Sequence, residues 1–171
     1  DRDCHRRRFK TKLISMGMCG YDRVLIEPSG IFDMDEFFDT LHEEPLDRWY
    51  EIGNVITIVD AKLESNLSMQ ADYVLASEAA NAGLIVLSHS QEATPEQITD
   101  TAAHLNRALA QVKCRRQIDE SHILCKDWND FTDADFARNS TCGYDPASYV
   151  KQDVDDNGDF DSLFFMNRHL T

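Results

Sequence analysis

The sequence predicts a three-layer α/β/α fold built on a mostly parallel sheet, and three observations predict it. Val24-Leu25-Ile26, Val55-Ile56-Thr57-Ile58-Val59 and Leu84-Ile85-Val86-Leu87 are nearly continuous apolar runs without in/out alternation. Such runs mark strands covered by helices on both faces. Successive runs begin about 30 residues apart, the length of one βαβ unit. Helix-periodic segments fill the intervals.

Each element has its own signal. The first dozen residues, through Leu13 and Ile14, read as a helix leading into the first strand. Asp33-Met34-Asp35-Glu36 opens a second helix with acidic residues and then sets Phe37, Phe38 and Leu41 on one side. Residues 68–81 are Ala-rich, with Met69, Tyr73, Leu75 and Ala79 spaced to face the sheet. Trp49 and Tyr50 are expected to pack the second helix on that sheet. Ala93-Thr94-Pro95-Glu96-Gln97 carries a Thr N-cap, Pro at the first helical position and Gln at the third. The helix it starts should run to about Val112, with Ile98, Ala102, Leu105 and Leu109 at helical intervals. Ser121-His122-Ile123-Leu124 reads as a short fourth strand and Thr132-Asp133-Ala134-Asp135-Phe136 as a short helix. The expected organisation is an α/β domain over 1–142, a polar linker over 143–159, and a strand within 160–171 that begins a further domain.

Composition narrows the function. With 17 Lys and Arg against 31 Asp and Glu, the 171 residues carry a net charge of −14. That field opposes nucleic acid and anionic membrane surfaces alike. No apolar run approaches the ~18–20 residues of a membrane span. Arg6-Arg7-Arg8 with Lys10 and Lys12 reads as a solvated helix face. Five scattered cysteines without C-x-x-C spacing point to reduced thiols and a cytoplasmic location. Six dispersed histidines form no H-x-x-x-H or H-x-H pair. Asp153-Val154-Asp155-Asp156-Asn157-Gly158 resembles the start of a calcium loop, but Phe164 stands where a bidentate Glu is required. Ser29 lacks both a nucleophile elbow and a His partner.

The chemistry gathers where strands end. The three runs finish at Glu27, Asp60 and Ser88, and open parallel sheets bind ligands beyond that edge. In Glu27-Pro28-Ser29-Gly30, a carboxylate at a strand end suits Mg²⁺ or its water beside a phosphate. A glycine three residues later lets a backbone N–H approach the terminal phosphate. The bland alternative is a strand entering a Pro-Ser-Gly turn with Glu27 solvated.

These residues carry a resemblance. The stretch 22–30 resembles the E-x-x-G switch strand of the CobW/HypB/UreG-type GTPases, and Val55-Ile56-Thr57-Ile58-Val59-Asp60-Ala61 is similar to the strand ending in V-D-A of CobW proteins. Residues 70–87 resemble the helix and strand that deliver the family's N-K-x-D loop, and 160–166 the opening of its C-terminal domain. The resemblance implies a P-loop NTPase fold and a GTP-dependent metallochaperone handling a transition metal such as Zn or Co, with a client metalloprotein as partner. It places Glu27 at Mg²⁺ and its waters, and Gly30 at the γ-phosphate. Gly30 would couple nucleotide state to the loop through Phe32 and Asp33. Pro28, Ser29, Asp60, Ser88, His89 and Gln91 would line the nucleotide.

Two departures qualify it. No G-x-x-x-x-G-K-[ST] occurs in these residues, nor the family's C-x-C-C metal motif. The chain therefore reads as an internal piece of a GTP hydrolase, incomplete at its N-terminus and by itself inactive, with Cys4-His5 adjoining the metal motif's expected place. Ser88-His89-Ser90-Gln91 replaces N-K-x-D, so the guanine-reading carboxylate is a Gln. That substitution keeps open a second reading, a degenerate NTPase-like domain serving as a binding or regulatory module.

Overall fold

The computed structural model describes residues 2–28 and 34–151. Three helices come first: α1 (Arg2–Met18), α2 (Met34–Leu41) and α3 (Leu46–Trp49). There follow β1 (Ile56–Asp60), α4 (Met69–Asn81), β2 (Leu84–Ser88), α5 (Pro95–Gln111), β3 (Ile123–Cys125) and α6 (Asp133–Thr141). The strands form one sheet in the order β1-β2-β3, parallel throughout. The register pairs Asp60 with Ser88 and Leu87 with Cys125. The predicted α/β class is therefore observed.

The main core lies between the sheet and α4 and α5. Val59, Ile85 and Leu87 meet Tyr73, Ala76 and Ala80 of α4 and Leu105, Ala108 and Leu109 of α5. Burying an aliphatic side chain of this size stabilises by roughly 1.5–3 kcal/mol. Met69, expected on this face, is 80% exposed at the first turn of α4. Ser68 caps that turn by accepting from Ala71 N. Polar fasteners add to this: Asp72 of α4 and His104 of α5 meet at 2.6 Å in the interior, and Thr101 of α5 donates to the carbonyl of Ala61, just past β1, at 3.0 Å.

The helix with the strongest sequence signal starts where expected. Thr94 Oγ1 accepts from Gln97 N, and Gln97 Oε1 accepts from Thr94 N at 2.9 Å. Pro95 occupies the first turn and costs no hydrogen bond there. Thr94→Ala is expected to lower stability by about 1 kcal/mol; urea unfolding reads it, and a change below about 0.3 kcal/mol would rule the box out as a stabiliser.

A second, smaller cluster joins the first three helices around Leu13, Leu41 and Leu46, with Phe9, Val24, Phe37 and Tyr50 against it. Here the structure corrects three expectations. The run Val24-Leu25-Ile26 forms no strand: it is extended but unladdered, with Leu25 88% exposed and Val24 turned into the helical cluster. Three apolar residues satisfy a strand pattern, yet a strand also needs a neighbour to take its amides, and no described residue supplies one. Trp49 and Tyr50 pack on α1 rather than the sheet, Tyr50 Oη donating to the Leu13 carbonyl at 2.7 Å. The basic run is only partly solvated. Arg7, Arg8 and Lys12 are exposed, while Arg6 and Lys10 both pair with Glu43 and hold its carboxyl below the usual range, Lys10 first.

Among the described residues, nothing pairs with the outer edge of β1. Val55 O accepts from Gly83 N and Ala61 N donates to Ser88 O, so odd-numbered residues face β2. Ile56 and Ile58 therefore turn their amides outward, where no described residue pairs with them. Their side chains are 42% and 69% exposed.

Residues 143–151, read from sequence as the start of a linker, are fastened to the domain as a strap. Val55 N donates to Gly143 O at 2.9 Å, Gly143 N to Asn54 Oδ1 at 2.8 Å, Asp145 N to Asn81 O at 3.1 Å and Val150 N to Val112 O at 2.8 Å. Ala147 and Tyr149 lie on the main core. Arg116 completes the seam, donating to the Ala79 and Ala80 carbonyls at 2.8 and 2.9 Å and facing Asp145 at 3.5 Å. The remainder of that segment and the strand expected within 160–171 lie outside the described residues.

Candidate functional site

The carboxyl edge of the sheet gathers polar side chains because β1 and β2 are in register. Asp60 ends β1 directly beside Ser88, which ends β2. His89 follows with φ 54°, a left-handed turn that swings its ring back toward β1. Its Nδ1 lies 3.1 Å from Asp60 Oδ2. The other Asp60 oxygen accepts from Lys62 N at 2.8 Å. That backbone bond chiefly, with the His89 contact, holds the Asp60 carboxyl below its ordinary range. Ser88 Oγ donates to Val59 O at 3.3 Å.

Lys62 reaches across to Glu92 at 2.6 Å and joins the two loops. The pair raises the lysine and lowers the glutamate from their usual values. The 3-10 turn Ser90–Glu92 carries Gln91 outward, exposed. Ser90 Oγ is buried in that turn without a hydrogen-bond partner.

Of the sequence-predicted residues, the structure brings together Asp60, Ser88 and His89, with Gln91 on the adjoining turn. Glu27 and Pro28 are exposed at the end of the unladdered segment, and no hydrogen bond or ion pair joins Glu27 to the Asp60–Ser88 edge. Ser29, Gly30, Phe32 and Asp33 lie outside the described residues. Sequence reasoning missed the Lys62–Glu92 pair; its only trace was a basic residue two positions beyond the strand-ending Asp. It also missed the aromatic group after β3, signalled by Trp128-x-x-Phe131 directly past a strand.

Among the described residues no group of three or more His, Cys, Asp or Glu is placed to hold a metal ion. None of their helices is long and apolar enough to cross a membrane.

Parallel strands joined by helices, with polar side chains converging at the carboxyl edge, define an open α/β domain of the kind that takes ligands at that edge. The family follows directly. The family model for the CobW/HypB/UreG nucleotide-binding domain matches residues 4–119, and the chain belongs to that family. No curated protein and no solved structure matches it.

Proposed function

We propose that the intact protein binds GTP with Mg²⁺ across the carboxyl edge of this sheet and uses nucleotide turnover to hand a transition metal to a client protein. One observation carries the reading: within the family-matched segment, Asp60 and Ser88 stand side by side at adjacent strand ends, with His89 folded back on Asp60. Asp60, Ser88, His89 and Gln91 would face the nucleoside, and Pro28, Ser29 and Gly30 the phosphates. Glu27 fits the role at Mg²⁺. Its carboxylate is exposed and holds no partner among the described residues, and Mg²⁺ beside a nucleotide needs only one or two protein carboxylates. When bound, the ion would neutralise charge building on the phosphates. Gly30 would sense the terminal phosphate. The transition metal is cargo in this reading, and a cytoplasmic setting accords with the free thiols.

Gln91 favours a second reading, a nucleotide-family domain serving as a non-catalytic binding module. An amide cannot offer guanine two charged acceptor oxygens. Calorimetry on the intact protein with GTP and ATP, each with and without Mg²⁺, separates the two. A saturable Mg²⁺-dependent heat, weakened about tenfold or more in Glu27→Gln, is the expected result. No heat with any nucleotide removes the enzyme and leaves the module.

A further inference from the structure

Folding ordinarily hides aromatic rings, each of which removes roughly 150–250 Å² from water when buried. Of the three rings past β3, two depart from this, while Phe131 between them is half-buried. Trp128 is 65% exposed and Phe136 is 52% exposed, and neither belongs to the two core clusters. Trp128 stacks on Phe131 with ring centroids 4.8 Å apart and planes 27° from parallel, and Phe136 tilts against Phe131 at 5.7 Å. Phe131 thus supports one face of the indole and leaves much of the ring open.

The segment carrying these rings is braced. Asp127 Oδ1 accepts from Asn129 N at 2.8 Å and from its side chain at 2.9 Å. Asp135 Oδ2 gathers Lys126 Nζ at 2.7 Å, Thr132 N at 2.8 Å and Thr132 Oγ1 at 2.7 Å. A surface held this firmly loses little freedom on meeting a ligand.

Its place is fixed by register. Leu87 of β2 pairs with Cys125 of β3. His89 follows two residues beyond one, and Trp128 three beyond the other, on strands about 4.8 Å apart. The aromatic group therefore leaves the sheet at the same edge as Asp60, Ser88 and His89. α6 sets Phe136 against Phe131 near its start and then runs away from that edge, Arg138 reaching the Ile123 carbonyl and the Ser140 carbonyl accepting from Asn54, while Trp128 stays 65% exposed.

We infer that Trp128, backed by Phe131 and Phe136, forms the wall against which the base of a nucleoside triphosphate stacks. The inference rests on the nucleotide reading above and adds how the base is held. Gln91 is exposed and bears no charge, so a carboxylate does not select guanine here. Stacking takes its place, and every base has a π face, so discrimination among bases is weak.

The test uses the intact protein with Trp49→Phe, its spectrum corrected by that of the same protein carrying both Trp49→Phe and Trp128→Phe, so that the difference reports Trp128. GTP, ATP and UTP with Mg²⁺ are each expected to quench it, and inorganic tripolyphosphate to leave it unchanged. Trp128→Ala weakens all three nucleotides on the order of tenfold and leaves tripolyphosphate affinity unaltered. Phe136→Ala repeats the effect more weakly, while Trp128→Phe retains most of the binding. Thermal melting of each variant should match the parent, since these rings lie outside the core. If Trp128→Ala binds nucleotides as tightly as the parent, the wall is elsewhere and the nucleotide reading stands. A Trp128 spectrum that follows protein concentration and ignores nucleotide assigns the face to a second copy and overturns the inference. A parent that binds neither nucleotide nor tripolyphosphate defeats both readings.

Discussion

Gly83→Ala is expected to cost about 3 kcal/mol or more of folding stability, since an added Cβ there meets tighter contacts than at any other described glycine. A Cβ at residue 83 would stand 2.2 Å from Gly143 O, 2.5 Å from Cys142 O and 2.6 Å from Gly143 C. All three are backbone atoms, so no side chain can rotate away. Residue 83 has no left-handed φ to protect; the cost is steric. Relief requires lifting the strap, which forfeits the Val55–Gly143 bond and the bridge between Ala82 and Tyr144. Gly53→Ala is the control, because a Cβ there meets nothing within 4 Å. Urea unfolding should show a clear drop in midpoint for the first variant and almost none for the second. Equal midpoints would mean that the strap does not bear on Gly83 as described.

The second large effect depends on pH. Glu78 sits in the last turns of α4, half-buried, and its backbone carbonyl accepts from Thr57 Oγ1 at 3.0 Å. Burial, with no compensating charge, pushes its carboxyl from 4.5 up to about 7. Below the lower value both folded and unfolded chains hold the proton, and the residue does not affect the balance. Between the two values the folded state keeps a proton that the unfolded chain has released, so stability falls as pH rises. Above about 7 the fold must bury a charge. Glu78→Gln should therefore stabilise by about 2–3 kcal/mol at pH 8 and by almost nothing near pH 4.5. Denaturant titrations at both pH values check it. A gain of equal size at both would show that charge is not the cause.

What the sequence made legible follows from how local each signal is. The start of α5 rests on four consecutive residues, 94–97, whose bonds are all to one another, and the structure reproduces them. β1 and β2 are five-residue runs whose partners lie in the same chain one βαβ unit away. By contrast, 24–26 have the same composition without a partner among the described residues, and composition does not report a neighbour. The strap was illegible for the converse reason. Its residues are polar and irregular, and what orders them is a set of carbonyls and amides at 54, 55, 81 and 112, which leave no imprint on the strap's own composition.

At the candidate site, Asp60 and Ser88 were readable because strand ends in a parallel sheet converge by geometry alone. The return of His89 onto Asp60 was not, since it depends on one residue adopting φ 54°. The exposure of Trp128 leaves no mark in the sequence either, because a tryptophan after a short strand shows the same local pattern whether buried or open. Its 65% exposure is a fact of three dimensions.

The strap has a consequence for how the chain is made. Its anchor points at 54–55, 81 and 112 lie between about 30 and 90 residues upstream of the segment that grips them. Contacts so distant along the polypeptide close slowly and only after local structure exists. On the ribosome, α4, α5 and the sheet would emerge with their lower rim unlatched, and the last fastening would wait until residue 151 cleared the exit tunnel. A nascent chain stalled before that point is thus expected to remain protease-sensitive at Gly83 and Arg116, and to become resistant when a few dozen more residues release it.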